Sequence, residues 1–241
     1  MALRDGSQTA PNFESCMPEI KVVGVNGANS SKFSWFTEHP ENLGYFNDFM
    51  AFRRQPELSW LSVYPVHQRT TGWVSDRPLF VNIGGGVGHQ CAQFKEKYPE
   101  LLGRVILQDL PHSIAKALPT PGVENIAHDF PEPQPIQGAK FYYLRGVLHN
   151  HPLHRIHKLL ENTKSATAPD SILLLDKMVL PDTKAHVNSV SMDLTMMGAF
   201  AGGEHSALQW KQIFDEARLK LTGTYLYNPV DHESVMELCL P

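Results

Sequence analysis

With 241 residues, 42% of them apolar and 19% charged, the chain is long enough for one ordinary domain with a sizeable core and some additional segment. Its formal charge of −4 is spread along the length with no lysine or arginine block, which excludes the electrostatic footprint of a nucleic-acid binder or of a protein held on an anionic membrane and favours a small-molecule partner. Cys16, Cys91 and Cys239 are odd in number and far apart, so neither a disulfide framework nor a zinc site is suggested, and no stretch approaches the ~20 apolar residues of a membrane span. Because the opening Met-Ala-Leu-Arg-Asp-Gly-Ser-Gln also lacks the apolar run of a secretory signal, a cytoplasmic protein is expected.

Residues 1–31 carry Gly, Asn, Ser and Pro without sustained periodicity and read as a flexible arm. From Phe33 to Phe52, the residues Phe33, Trp35, Phe36, Leu43, Phe46, Phe49 and Met50 recur at roughly helical spacing around His39-Pro40, which predicts two helices joined at a proline turn. After Leu58–Val66 and the turn Gly72–Pro78, strands and helices alternate. A strand is predicted over 79–83, a helix over about 88–98, a strand over 104–108, a helix over about 111–118 and a short strand over 123–127. A proline-rich turn (Pro131, Pro133, Pro135) leads to a strand over 139–144, a helix over about 152–166 and the strand Ser171-Ile-Leu-Leu-Leu-Asp176. Near-continuous apolar runs imply strands covered on both faces, hence a mostly parallel α/β sheet of the doubly wound kind, with strand-like stretches at 220–227 and 234–240 as antiparallel additions at an edge. The sequence shows no internal repeat.

The strand over 79–83 runs straight into Gly84-Gly85-Gly86-Val87-Gly88-His89, and Asp109 closes the next apolar run. Glycines allow backbone amides to approach a nucleoside cofactor closely, and a carboxylate at the next strand end can take the ribose hydroxyls. A dinucleotide site needs Gly-x-Gly-x-x-Gly with the pyrophosphate on the helix N-terminus, and the spacing here is wrong for it. S-adenosylmethionine has no phosphate and asks only for the glycine backbone and the acid.

Five segments in order, Val81-Asn-Ile-Gly-Gly-Gly-Val-Gly-His89, Leu107-Gln-Asp-Leu-Pro111, His128-Asp-Phe130, Tyr143-Leu-Arg-Gly-Val-Leu-His-Asn150 and Gly202-Gly-Glu-His-Ser206, resemble the successive motifs of the plant and fungal S-adenosylmethionine-dependent O-methyltransferases, the caffeate O-methyltransferase-like family. The resemblance covers about residue 33 to the C-terminus and implies a Rossmann-like methyltransferase with a seven-stranded sheet. It implies that Gly84 and Gly86 line the methionyl end of the cofactor, that Asp109 with Leu110 lies at the ribose, that Asp129 and Phe130 flank the adenine, and that Arg145 lies near the cofactor. It also makes Met196 and Phe200 walls of a flat acceptor pocket, although Met192, Met196, Met197 and Phe200 equally form an apolar stripe suited to core packing.

Methyl transfer to a phenol needs a base for the phenolic proton, and histidine is mostly neutral at cellular pH. His149 follows the strand over 139–144, where open α/β sheets hold their ligands, and the resemblance places the family's base there. Glu204 matches one of two carboxylates that orient this imidazole in the family. Related sequences have glutamate where this chain has Lys177, and a lysine beside the imidazole would disfavour its protonation. Asp176 substitutes only if the strand end is bulged, since successive strand residues point to opposite faces. His149, His151, His154 and His157 fall close together without a completing cysteine or glutamate, so no metal is expected.

The expected organisation is an arm over 1–31, a remnant helical or dimerisation segment over 32–78 and a cofactor-binding catalytic domain over 79–241, since family members carry a winged-helix and dimerisation region ahead of the cofactor domain and only residues 1–78 precede the first strand here. A homodimer would cover the aromatic residues of the segment. The resemblance implies an O-methyltransferase acting on a phenolic or enolic hydroxyl of an aromatic or polyketide-like secondary metabolite. Lys177 and the short N-terminal region keep open a second reading, in which the chain binds the cofactor but catalyses a non-methylating rearrangement or serves as an interaction partner.

Overall fold

The structure, a computed structural model, describes residues 41–42, 45, 59–74, 76–200 and 202–241, with the side chains of residues 199 and 200 left out. The arm over 1–31 and, apart from residues 41–42 and 45, the two helices expected around His39-Pro40 lie outside the described residues.

The alternation of apolar runs and amphipathic stretches becomes a strand-helix succession: α1 (Val66–Arg69), β1 (Pro78–Ile83), α2 (His89–Lys97), β2 (Arg104–Asp109), α3 (Pro111–Ile114), β3 (Val123–Ala127), β4 (Phe141–Arg145), α4 (Leu153–Ser165), β5 (Ile172–Leu180), α5 (Val187–Phe200), β6 (His205–Ser206), α6 (Ala207–Glu216), β7 (Lys220–Asn228) and β8 (Glu233–Cys239). Seven strands lie in the order β3-β2-β1-β4-β5-β8-β7, and two-residue β6 pairs with β5 off that path. The pairs from β3 through β5 are parallel, while β8 runs antiparallel to both β5 and β7.

All six residues of β1 are buried, which is why its run is apolar without alternation. On one face of the sheet Val81, Tyr142, Leu144, Leu173 and Leu175 pack with Ile156, Leu159 and Leu160 of α4 and with Trp210, Ile213 and Phe214 of α6. On the other, Phe80, Phe141, Tyr143 and Leu174 pack with Phe94 of α2 and with Trp60, whose ring stacks on Tyr143 at 4.8 Å. The spacing Ile156, Leu159, Leu160, Thr163 gives α4 a single buried stripe, as the period of 3.6 requires.

Most predicted strands and helices form within a residue or two of their expected bounds, and three departures have local causes. Helix α3 ends at Ile114 instead of about 118, because Leu118 N turns to donate to the carbonyl of Val87 at 2.8 Å. Strand β5 continues past Asp176 to Leu180, drawn on by pairing of Met178 with Glu233 and of Val179 with His205. Helix α6 was not indicated by an apolar run, yet its start carries a complete capping box: Gln209 N donates to Ser206 Oγ and Ser206 N donates to Gln209 Oε1.

Strand order reverses between β1 and β4, the crevice in which open α/β sheets bind their ligands. The glycine turn, Asp109 and His149 all follow or close strands at this edge of the sheet.

Candidate active site

Strand β1 ends at Ile83, and the chain must turn sharply to begin α2 at His89. Gly84, Gly86 and Gly88 do so with φ of 65°, 62° and 97°, in the left-handed region that side chains rarely adopt. A Cβ on Gly84 would press on Val147 at 2.7 Å, whereas one on Gly86 would meet nothing within 4 Å, so the turn presents bare backbone to an open side. Gly86 N donates to Asp109 Oδ2 at 2.8 Å and Leu110 N donates to Asp109 Oδ1 at 2.8 Å, which fixes the carboxylate at the end of β2. Burial lifts the Asp109 carboxyl above its ordinary value against the opposing pull of these amides. Each oxygen keeps acceptor capacity for a further donor, which is what a ribose diol supplies.

His128 N donates to the Asp109 carbonyl at 2.9 Å, so the segment after β3 is tied to the same end of the sheet. Asp129 follows with an exposed side chain, and the partly buried ring of Phe130 meets His151 edge-on at 4.5 Å. Asp109, Leu110, Asp129 and Phe130 are thus joined through one turn, and Phe130 connects it to the loop that carries His149.

Arg145 ends β4, where its guanidinium lies 3.6 Å from Asp176 Oδ2 and 3.7 Å from Glu233 Oε1, over the ring of Tyr227. Asp176 is fully buried and also accepts from the hydroxyls of Tyr143 and Tyr227. Strand alternation holds here. Asp176 faces away from His149 and substitutes for no carboxylate beside it.

His149 sits on a single 3-10 turn, Leu148–Asn150, set by the buried side chain of Leu148 and by Asn150 Nδ2 donating to Gly146 O at 2.9 Å. Its Nδ1 is 2.5 Å from Glu204 Oε1. An ionised carboxylate only accepts, so Nδ1 carries a hydrogen, and whenever the ring is neutral the lone pair falls on Nε2, which lies over Gly146. Glu204 arrives on a clamped loop. Gly203 N donates to His149 O at 3.1 Å, Glu204 N donates to Asp193 Oδ1 at 2.8 Å, and Gly202 packs so closely that a Cβ there would overlap the His149 carbonyl.

Lys177 does not touch the imidazole. Its Nζ lies 3.1 Å from Glu204 Oε2, so the carboxylate stands between the lysine and the ring, in place of the direct contact expected of a residue at this position. Burial pushes the Glu204 carboxyl up, but the charge of Lys177 and the bond to His149 outweigh it and bring it down to about 2. Burial lowers the Lys177 ammonium, with Glu204 and Asp193 opposing.

Met196 is buried on α5, and its carbonyl accepts from Gly202 N at 3.4 Å, next to the loop of Glu204. The side chain of Phe200 lies outside the described residues. Sequence reasoning missed Asp193, whose only signal is one acid within an apolar helical stripe. It also missed the role of Gly202-Gly203, whose signal is the doubled glycine itself.

Residues 57–220 match the model of the O-methyltransferase domain. The chain is 38% identical over 192 residues to the demethylsterigmatocystin 6-O-methyltransferase of Emericella nidulans, covering 79% of this chain and 93% of that protein. It spans about half the length of the first curated relatives it matches, 52% in each case. Among solved structures, one described as a pericyclic reaction enzyme and one of LepI in complex with SAM each superpose with a TM-score of 0.82 at 34% identity, over 88% of this chain and 56% and 55% of theirs. With the matched domain spanning most of the chain, this protein belongs to the O-methyltransferase domain family.

Proposed function

We propose that the protein transfers the methyl group of S-adenosylmethionine to a phenolic or enolic hydroxyl of a small aromatic or polyketide-like secondary metabolite, with His149 as general base. The observation that carries this reading is the pairing of His149 Nδ1 with Glu204 Oε1 at 2.5 Å, which turns Nε2 of the neutral ring into the nitrogen available as acceptor beside the strand ends.

The residues at the strand ends fit the cofactor. Backbone of Gly86 is bare toward an open side while Gly84 turns tightly against Val147, and Asp109 is held by two amides with acceptor capacity to spare for a ribose diol. Leu110, Asp129 and Phe130 would complete the nucleoside side. Arg145 would approach it only from within its ion pairs to Asp176 and Glu233. When bound, S-adenosylmethionine supplies an electrophilic sulfonium methyl group. The acceptor hydroxyl would give its proton to His149 Nε2 as its oxygen takes the methyl, and Glu204 would hold and stabilise the resulting imidazolium. Met196 and Phe200 would wall the acceptor.

Incubation with labelled S-adenosylmethionine and a panel of polyphenols tests the proposal. Methylated product from the wild type, reduced by about 10² to 10⁴ in His149→Ala, supports it. Tight binding of S-adenosylhomocysteine with no methylated product across the panel would favour the non-methylating reading instead, which Lys177 and the likeness to a pericyclic reaction enzyme motivate.

A cytoplasmic homodimer accompanies the proposal. No helix among the described residues is long and apolar enough to cross a membrane. Val187, Val190, Leu194 and Met197 form an exposed apolar stripe on α5 suited to a second copy. Sedimentation velocity showing a monomer at micromolar concentration would remove the dimer.

A further inference from the structure

Lys177 is an unusual residue to bury. Its side chain is 3% exposed, its ammonium makes no aligned hydrogen bond, and it lies 4.5 Å from the centre of the Trp210 ring, with Glu204 Oε2 as its nearest charge at 3.1 Å. A methionine would fill this space without the cost of desolvating a cation. What the lysine adds is a fixed positive charge on the far oxygen of the carboxylate that holds His149.

We propose that Lys177 is a positioning residue that sets the tautomer of His149 through Glu204. Among the described residues, the charged or titratable groups facing Glu204 are Lys177 from β5, His149 from the turn after β4 and Asp193 from α5, with His205 of β6 set beside Trp210 at 4.8 Å. With Lys177 on Oε2, Glu204 stays ionised and Oε1 can only accept, so the hydrogen resides on Nδ1 and Nε2 is free. Remove the cation and a buried glutamate, with Asp193 close behind its backbone, takes up a proton far more readily. Its hydroxyl would then donate to Nδ1, the ring hydrogen would move to Nε2, and the lone pair facing the acceptor would be gone. The departure from the family's usual glutamate thus preserves the orientation of the base by a different route, a chain of three residues in place of two flanking carboxylates.

This rests on His149 as the base of the proposed reaction, but the tautomer can be read without turnover. Long-range proton–nitrogen spectra of the full chain labelled with ¹⁵N-histidine, with His149 assigned by comparison with His149→Gln, report which ring nitrogen carries the hydrogen. The wild type is expected as the Nδ1–H form near neutral pH, and Lys177→Met as a mixture enriched in Nε2–H. Lys177→Arg, which keeps the cation, should retain the wild-type form. In turnover, Lys177→Met should lose at least tenfold in kcat with KM within twofold, its acidic limb displaced upward by a pH unit or more, and Lys177→Arg should recover part of the loss. Lys177→Gln stands in should the methionine variant not fold. An Nε2–H tautomer in the wild type overturns the inference, as does an unchanged tautomer in Lys177→Met and Lys177→Gln. A wild type that shows the expected tautomer but forms no methylated product would sink the proposed reaction and leave the inference standing.

Discussion

The imidazole of His149 and the carboxylate of Glu204 come from segments 55 residues apart, yet their separation of 2.5 Å depends on few local devices. Glu204 is 3% exposed and its carboxyl is held at about 2, below its unfolded value of about 4.5. The native state therefore binds this proton less readily than the unfolded chain, so the stabilisation is full above about pH 4.5 and drains away as pH falls toward 2. A shift of that size corresponds to about 3 kcal/mol. In Glu204→Gln, urea denaturation at neutral pH should show a loss of roughly 3–5 kcal/mol, since Lys177 is left as an uncompensated buried charge, and the gap to the wild type should narrow between pH 4.5 and 2. A constant gap over that range would mean the carboxylate contributes nothing through its ionisation. His149, Glu204 and Asp109 could be singled out because each sits at a motif position, and the structure pairs the first two and fixes the third at the end of β2, while their roles belong to the proposal. The partner of Lys177 could not be, because alternation along a strand tells which face a residue takes and says nothing of what a distant loop places opposite it.

At the level of the element, backbone shape governs the site more than side-chain type. Gly202→Ala would drive a methyl group into the carbonyl of His149, and either the loop or the 3-10 turn must give way. Turnover should fall by 10²-fold or more while thermal stability changes modestly, because displacement of a reacting group by about 1 Å costs that much. Wild-type turnover in this variant would show that the loop clamp is not what positions Glu204. Ser206→Ala removes the cap of α6 and should cost about 1 kcal/mol in chemical denaturation, with Ser206→Asp retaining most of the stability. The periodicity of α4 was visible in sequence because long amphipathic segments announce themselves, whereas of the methionine stripe on α5 Met196 is buried and Met197 is exposed. The early end of α3 and the extension of β5 were not visible. Both are set by partners, Val87 for the first and β6 and β8 for the second, that are remote in the chain.

Over the whole molecule, the alternation of strand and helix sufficed to expect a parallel sheet covered on both sides, and the strand-like stretches at 220–227 and 234–240 suggested antiparallel additions at an edge. What the sequence did not reveal is that β8 lies inside the sheet, between β5 and β7, with Val235, Met236 and Leu238 buried. Its Glu237 accepts from Tyr64 at 2.6 Å and from Arg69 at 2.8 Å, so the last strand also holds the segment that precedes β1. Ending the chain at residue 228 should therefore abolish cooperative unfolding and expose apolar surface to a dye such as ANS. Removing Pro241 alone should be silent, since it is exposed and lies beyond β8.

The loop of Glu204 is fastened to α5 twice, by Gly202 N on the Met196 carbonyl and by Glu204 N on Asp193. If α5 walls the acceptor as proposed, an engineer wishing to enlarge the repertoire of compounds accepted would turn first to this helix, and replacements near Asp193 and Met196 tug on the same moorings. Broadened tolerance and slower turnover should consequently arise together in libraries drawn from this helix, and Gly202, which admits no side chain, leaves the loop no slack to absorb the change.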